Sequence, residues 1–192
     1  MSNINFNLVI VGVGGQGTLL ASKILGQLAL TENCGVKVSE VHGMSQRGGS
    51  VITHVRVGEA VNAPLVALGE ADYLISFEAL EAARAMPYLK KDGVLIVNTQ
   101  RILPMPVIVG ATAYPEDPLS CFKTQKVEAV DALAIAVEAG NQKALNLVLL
   151  GMLSRHLPFD EQTWKNAIGA CVPRKTLPVN IAAFEKGRAC IA

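Results

Sequence analysis

The chain has 192 residues, with 17 Lys and Arg against 16 Asp and Glu, a formal net charge of +1. That balance gives no electrostatic footprint for nucleic acid or for an anionic membrane surface. Apolar residues make up 51% and charged residues only 17%, below the roughly 25% usual for globular domains, which reads either as a surface partly covered by a partner or as an ordinary α/β domain with a large Ala- and Val-rich core.

In chain order, "FNLVIVG" (6–12) is a short, nearly continuous apolar run ending in glycine, the pattern of a strand buried on both faces of a parallel sheet. Thr18 to Leu30 carries Leu20, Ile24, Leu25 and Leu28 at helical spacing. "GVKVSEV" (35–41) predicts a second strand, and "SVITHVRVG" (50–58) a third with Val51, Thr53, Val55 and Val57 on one side. "ADYLISF" (71–77) is a fourth strand, "EALEAARAMPYL" (78–89) a helix and "GVLIVNT" (93–99) a fifth strand. Between Arg101 and Lys123 four prolines, Pro104, Pro106, Pro115 and Pro118, predict turns, with "PVIVGA" (106–111) as a strand among them. "KVEAVDA" (126–132) reads as the last strand. Asp131 is placed to cap the helix after it. "NQKALNLVLLGMLSRHL" (141–157) predicts a long apolar helix, and "DEQTWKNAIGACV" (160–172) and "PVNIAAFEKGRAC" (178–190) two more.

Strands alternating with helices predict a single α/β domain over 1–192, a Rossmann-like three-layer arrangement with C-terminal helices. Between Val51 and Leu80 one strand follows another without a helix. The sheet is therefore expected to be mostly parallel, with a hairpin-like or mixed region there. No window approaches the roughly 18 apolar residues of a membrane span, and the N-terminus has no basic region of a signal peptide. Cys34, Cys121, Cys171 and Cys190 are far apart. They read as reduced thiols of a cytoplasmic protein, without the close spacing that an iron–sulfur cluster or a metal site takes.

Gly12, Gly14 and Gly17 fit G-x-G-x-x-G between a strand and a helix, the context in which that motif carries meaning. The helix start offers N–H groups to an anion, and Glu40 ends the second strand where an acidic group would meet a ribose. Gly15 and Gln16 make this turn more specialised than the generic fingerprint, and a second nucleotide-binding half is missing. The glycines therefore read either as an anion contact or as close strand–helix packing. The segment "EVHGMSQRGGSV" (40–51) adds His42, Gly43, Ser45, Gln46, Arg47, Gly48 and Gly49, which combine permissive backbone with donors and a fixed cation. Arg47 is suited to grip a phosphate or carboxylate in a fork. An inert polar loop is the other reading. His42 and His54 read as hydrogen-bonded structural histidines, His156 as a cation at a helix C-terminus, Asp72 as the organiser of a strand start, and Phe159 and Trp164 as packing residues. Cys34 and Cys190 have no base or cation beside them in sequence, which argues against a catalytic thiol.

"VGVGGQG", "EVHGMSQRGGSV", "HVR" (54–56), "AD" (71–72) and "VLIVNT" (94–99), in that order, resemble the gamma subunit or domain of 2-oxoacid:ferredoxin oxidoreductases, and within them the small subunits of the indolepyruvate branch. Asn146, "LLG" (149–151), Lys175, Asn180 and "AFEKG" (183–187) extend the resemblance across nearly the whole chain. The resemblance implies an accessory subunit, not catalytic alone, of an enzyme that decarboxylates aryl 2-oxoacids oxidatively. Thiamine diphosphate, Mg2+ and iron–sulfur clusters are then expected on a large partner subunit, with coenzyme A as co-substrate and ferredoxin as electron acceptor. Gly12, Gly14, Gly15, Gln16, Gly17, Glu40, His42, Gly43, Ser45, Gln46, Arg47, Gly48 and Gly49 become the expected contacts to coenzyme A or the partner. A homodimer is expected for the isolated chain. The residues by themselves also allow a freestanding NAD- or flavin-binding enzyme, or a scaffold module.

Overall fold

A computed structural model describes residues 4–42 and 49–191. Six strands, β1 (Phe6–Val13), β2 (Gly35–His42), β3 (Ser50–Gly58), β4 (Ala71–Ser76), β5 (Leu89–Asn98) and β6 (Lys126–Val130), form one sheet in the order β2-β3-β1-β4-β5-β6. β1, β4, β5 and β6 run parallel, while β3 is antiparallel to both β1 and β2. The helices are α1 (Thr18–Thr31), α2 (Ala79–Ala85), α3 (Met105–Ile108), α4 (Ala132–Glu138), α5 (Leu145–Leu153), α6 (Glu161–Cys171) and α7 (Leu177–Ala189). The mixed α/β sheet with C-terminal helices agrees with the sequence expectation.

Alternation along β1 builds three layers. Leu8 and Ile10 join a core with α1, α4, α5, α6 and α7, while Val9 and Val11 join a second core with α2. Both faces of β1 are covered from Leu8 onward, which is why its sequence is apolar there on both sides, with Asn7 the one polar residue near its start. Asp131 caps α4, its carboxylate accepting from Ala134 N at 2.9 Å, and Asp160 caps α6 through Thr163 N at 2.7 Å. α5 and α7 pack closely through two glycines. A Cβ on Gly151 would stand 2.1 Å from Phe184 O, and one on Gly187 would stand 2.0 Å from Val148 O. Trp164 is fully buried between Phe159 and Phe184.

Four expectations need correction. "PVIVGA" is not a strand: Pro104 and Pro106 pre-set helical φ and lack the N–H that a ladder needs, and the segment forms α3. The long helix over 141–157 is shorter, because Asn141 caps a 3-10 turn at Gln142–Ala144 and α5 ends at Leu153. The antiparallel strand β3 lies within the region expected to be hairpin-like or mixed, but its hairpin partner lies upstream. β2 and β3 form the hairpin, and parallel pairing has resumed by β4. The helix after β4 also ends early, at Ala85, because Pro87 turns the chain into a 3-10 segment.

Candidate functional site

In an open parallel sheet the ligand crevice lies at the carboxyl ends of strands whose following helices leave to opposite faces. Here that point is between β1 and β4, since α1 and α2 belong to different cores. The crevice is closed by a side chain of the chain itself. Gln16 Oε1 accepts from Val13 N at 2.7 Å, and its amide Nε2 donates to Phe77 O at 3.1 Å. Asn98 Nδ2 donates to the same carbonyl at 3.1 Å, and its Oδ1 accepts from Ala132 N at 3.0 Å. One polar ladder thus joins the ends of β1, β4 and β5 to the start of α4. Gln16 thus occupies the point between β1 and β4 at which a dinucleotide pyrophosphate would lie in a Rossmann protein.

The glycines follow from this closure. A Cβ on Gly12 would lie 2.8 Å from Gln16 Oε1 and 3.0 Å from Phe77 Cβ, so the first glycine makes room for the turn's own glutamine. Gly17, at φ 92°, faces Asn146, whose Nδ2 donates to Gly17 O at 3.4 Å. Gly15, at φ 100°, is exposed, with open space where a Cβ would be. Gly14 N donates to Gly49 O at 2.9 Å, which ties the glycine turn to the root of the second motif.

Clefts flank the turn. One of about 360 Å3 is lined by Gly14, Gly15, Thr18, Glu40, His42 and Val51. β3 stands between β1 and β2, so Glu40 reaches this cleft from two strands away, roughly 10 Å across the sheet. Its carboxylate accepts from Thr53 Oγ1 at 3.2 Å and Thr18 Oγ1 at 3.5 Å. A cleft of about 500 Å3 lies on the other side of Gly15, beside Gln16, Gln100, Lys143 and Asn146. The structure therefore gathers Gly12, Gly14, Gly15, Gln16, Gly17, Glu40, His42 and Gly49 around one rim. Gly43, Ser45, Gln46, Arg47 and Gly48 lie outside the described residues.

The remaining candidates are structural. His54 is buried on β3, where its Nδ1 accepts from Val66 N at 3.3 Å and its ring meets Tyr88 edge-on. Burial holds its imidazole below the ordinary value of 6.5. His156 follows α5 and pairs with Glu128 at 2.9 Å. The Asp72 carboxylate accepts from Asn7 N at 2.7 Å, fixing the start of β1 against β4. Burial raises the thiols of Cys121, Cys171 and Cys190, which leaves them poor nucleophiles.

Sequence reasoning missed Glu78, which is almost fully buried at the N-cap of α2. Its carboxylate accepts from Glu81 N at 2.9 Å, Ile102 N at 3.1 Å and Tyr114 Oη at 2.6 Å. Burial first, and the bond to Glu78 next, push the Tyr114 phenol far above its ordinary range, so it remains a donor. Glu81 binds Ser50 Oγ and pairs with Arg84. The available signal was a carboxylate directly after a strand, with a second one three residues on, the spacing of a capping box.

Fold and strand ends define a Rossmann-like α/β domain in which Gln16 occupies the crevice between β1 and β4. Residues 7–190 match the pyruvate ferredoxin/flavodoxin oxidoreductase family. The indolepyruvate oxidoreductase subunit IorB of Thermococcus kodakarensis is 46% identical over 189 residues, 95% of this chain and 94% of that one. The subunit of the same description from Pyrococcus horikoshii is 43% identical over the same shares. The crystal structure of the keto/oxoacid ferredoxin oxidoreductase gamma subunit from Geobacter sulfurreducens superposes with a TM-score of 0.72 at 20% identity, covering 96% of this chain and 97% of that one. A 2-oxoglutarate:ferredoxin oxidoreductase from Magnetococcus marinus, with 2-oxoglutarate, coenzyme A and succinyl-CoA bound, has the same fold at TM-score 0.66 and 19% identity; 97% of this chain matches 31% of that longer one. The chain belongs to the pyruvate ferredoxin/flavodoxin oxidoreductase family. Within it, the chain is a small, gamma-type subunit of a 2-oxoacid oxidoreductase complex. Among the described residues no helix is long and apolar enough to cross a membrane.

Proposed function

We propose that this subunit serves an indolepyruvate:ferredoxin oxidoreductase. The observation that carries the reading is the 46% identity to an indolepyruvate oxidoreductase subunit across 95% of one chain and 94% of the other. In this reading a large partner subunit, in the cytoplasm, holds thiamine diphosphate, Mg2+ and the iron–sulfur clusters. The aryl 2-oxoacid loses carbon dioxide there, its electrons pass to ferredoxin, and coenzyme A takes the acyl group. The present chain, one domain over 1–192, supplies binding surface and no catalytic group of its own. The Gln16 closure supports this over a freestanding dinucleotide enzyme, because the crevice such an enzyme uses is already filled.

The rim around Gly15, together with Arg47, is the proposed contact to coenzyme A or to the partner. Tagged chain expressed in its native cell is expected to recover a large thiamine- and cluster-containing subunit. That complex should oxidise indolepyruvate with coenzyme A and ferredoxin present. Steady turnover from this chain, freed of any companion, would overturn the reading. Titrating coenzyme A into the complex carrying Arg47→Ala then separates the two contacts: weakened binding marks a coenzyme contact, and unchanged affinity leaves the partner.

A further inference from the structure

We infer that the proline-rich segment between β5 and β6 is a preformed apolar docking face for the large subunit, and that what covers it is a cluster of aliphatic side chains from that subunit. The inference rests on the reading of the chain as one part of a larger oxidoreductase.

From Ile102 to Pro115 there are fourteen residues without a single charge. Leu103, Met105, Ile108 and Val109 stand 50%, 69%, 62% and 70% exposed within seven residues of chain. A loose loop could fold such side chains inward, but this one is held. Ile102 N and the Tyr114 hydroxyl, at the two ends of the run, both bind the buried carboxylate of Glu78. Arg101, just outside it, donates to Glu116 O at 2.8 Å and lies over the Tyr114 ring. A buried polar clamp thus fixes an apolar surface in the exposed position, the reverse of what an isolated domain gains from apolar side chains.

The chemistry of the occupant follows from what the segment can offer. Pro104 and Pro106 have no N–H. The amides of Val107 to Thr112 all donate to carbonyls within the segment itself, at 2.8 to 3.2 Å. The stretch Val107–Thr112 therefore offers no free amide edge to a strand, and the segment itself carries no charge to invite an ion pair, Arg84 beneath it being paired with Glu81. What remains is side-chain surface, which fits apolar side chains and little else. The face also joins the candidate site. Val13, Ser50, Glu81, Ile102 and Ile108 line a cleft of about 340 Å3 under the segment, and Val13 and Ser50 directly adjoin Gly14 and Val51 of the 360 Å3 cleft. A partner seated on Met105 and Ile108 therefore closes over the glycine turn. In the Magnetococcus marinus protein the same fold accounts for 31% of a longer chain, so there too the domain has a large neighbour.

The test is assembly with the large subunit of the same organism, co-expressed with the tagged small chain. Ile108→Glu and Met105→Glu are expected to weaken retention of the large subunit by about tenfold or more each, the effect of losing a central apolar contact. Ile108→Met should stay within about twofold, as volume-conserving apolar changes do. Leu68→Glu, equally exposed at 66% but at the opposite end of the sheet, should match the unaltered chain. Melting curves of the isolated variants check that each is folded. Amide exchange at Val107–Thr112 gives a second measurement on the unaltered chain and should slow on assembly. If the unaltered chain binds the large subunit while both charged variants bind as tightly, or exchange there is unchanged, this inference falls and the functional reading stands. An unaltered chain that recovers no large subunit would remove both.

Discussion

Gln16 shows how far a motif can be read from its spacing. The glycine periodicity was legible because spacing is a property of sequence. The reason for the glycines was not, because the atoms crowding Gly12 belong to Gln16 and to Phe77, sixty-five residues on in the chain, and those crowding Gly17 belong to Asn146. Gln16→Ala removes the acceptor for Val13 N and the donor to Phe77 O, and is expected to lower stability by about 1–3 kcal/mol in urea melts. Gly12→Ala should destabilise the unaltered chain but cost less in the Gln16→Ala background, because one of its two close contacts is gone. A coupling of about 1 kcal/mol in that cycle is expected, and strict additivity would mean the glutamine does not fill the crevice. His54 supplies a pH dependence. Its folded value is depressed by burial, so the unfolded chain binds the proton first as pH falls. Its contribution is complete above 6.5 and is lost as pH drops below that, down to the folded value. The urea midpoint of the unaltered chain should fall between pH 7 and pH 5.5 by more than that of His54→Gln.

At the scale of elements, the sequence yields its pattern where burial is uniform and hides it where tertiary pairing decides. β1 and α1 were legible because a run buried on both faces and a 3.6-residue stripe are local signals. The partner of β3 was not, since apolar alternation is the same for parallel and antiparallel neighbours. "PVIVGA" misled because its β-branched residues favour a strand, while its prolines decide against one. The crossing of α5 and α7 is the clearest case of chemistry hidden in a familiar string. Gly151 and Gly187 read as parts of motifs, yet each exists because a backbone carbonyl of the other helix lies where its Cβ would be. Gly151→Ala or Gly187→Ala must push the helices apart and is expected to lose about 3 kcal/mol or more, since backbone cannot yield as a side chain can. Gly26→Ala on α1, with open space around it, should instead gain up to about 1 kcal/mol from helix propensity. Thermal melts of the three variants, expected to bracket the unaltered chain, distinguish a packing glycine from a tolerated one.

The whole molecule combines a covered sheet with an uncovered rim. The central strands are covered on both faces, while the edge strands β2 and β6 are not, and Val38, Val41 and Val127 remain exposed there. With a net charge of +1 there is little long-range repulsion to keep copies apart. Among the described residues, the edge strands and the clamped segment at the strand ends each offer an apolar surface to an isolated chain, and they predict different behaviour. Edge pairing uses backbone, adds strand content and is indifferent to Ile108. Association through the clamped segment uses side chains and is abolished by a charge there. The isolated chain is expected to gain weight-average mass with concentration in sedimentation equilibrium. Ile108→Glu should keep it monomeric over the same series, and binding of the large subunit should suppress the association in the unaltered chain. Self-association that survives Ile108→Glu and raises the β signal in circular dichroism would assign it to β2 or β6. The clamped face would then be too small to hold two copies together, and its apolar side chains would have to be accounted for by the large subunit alone.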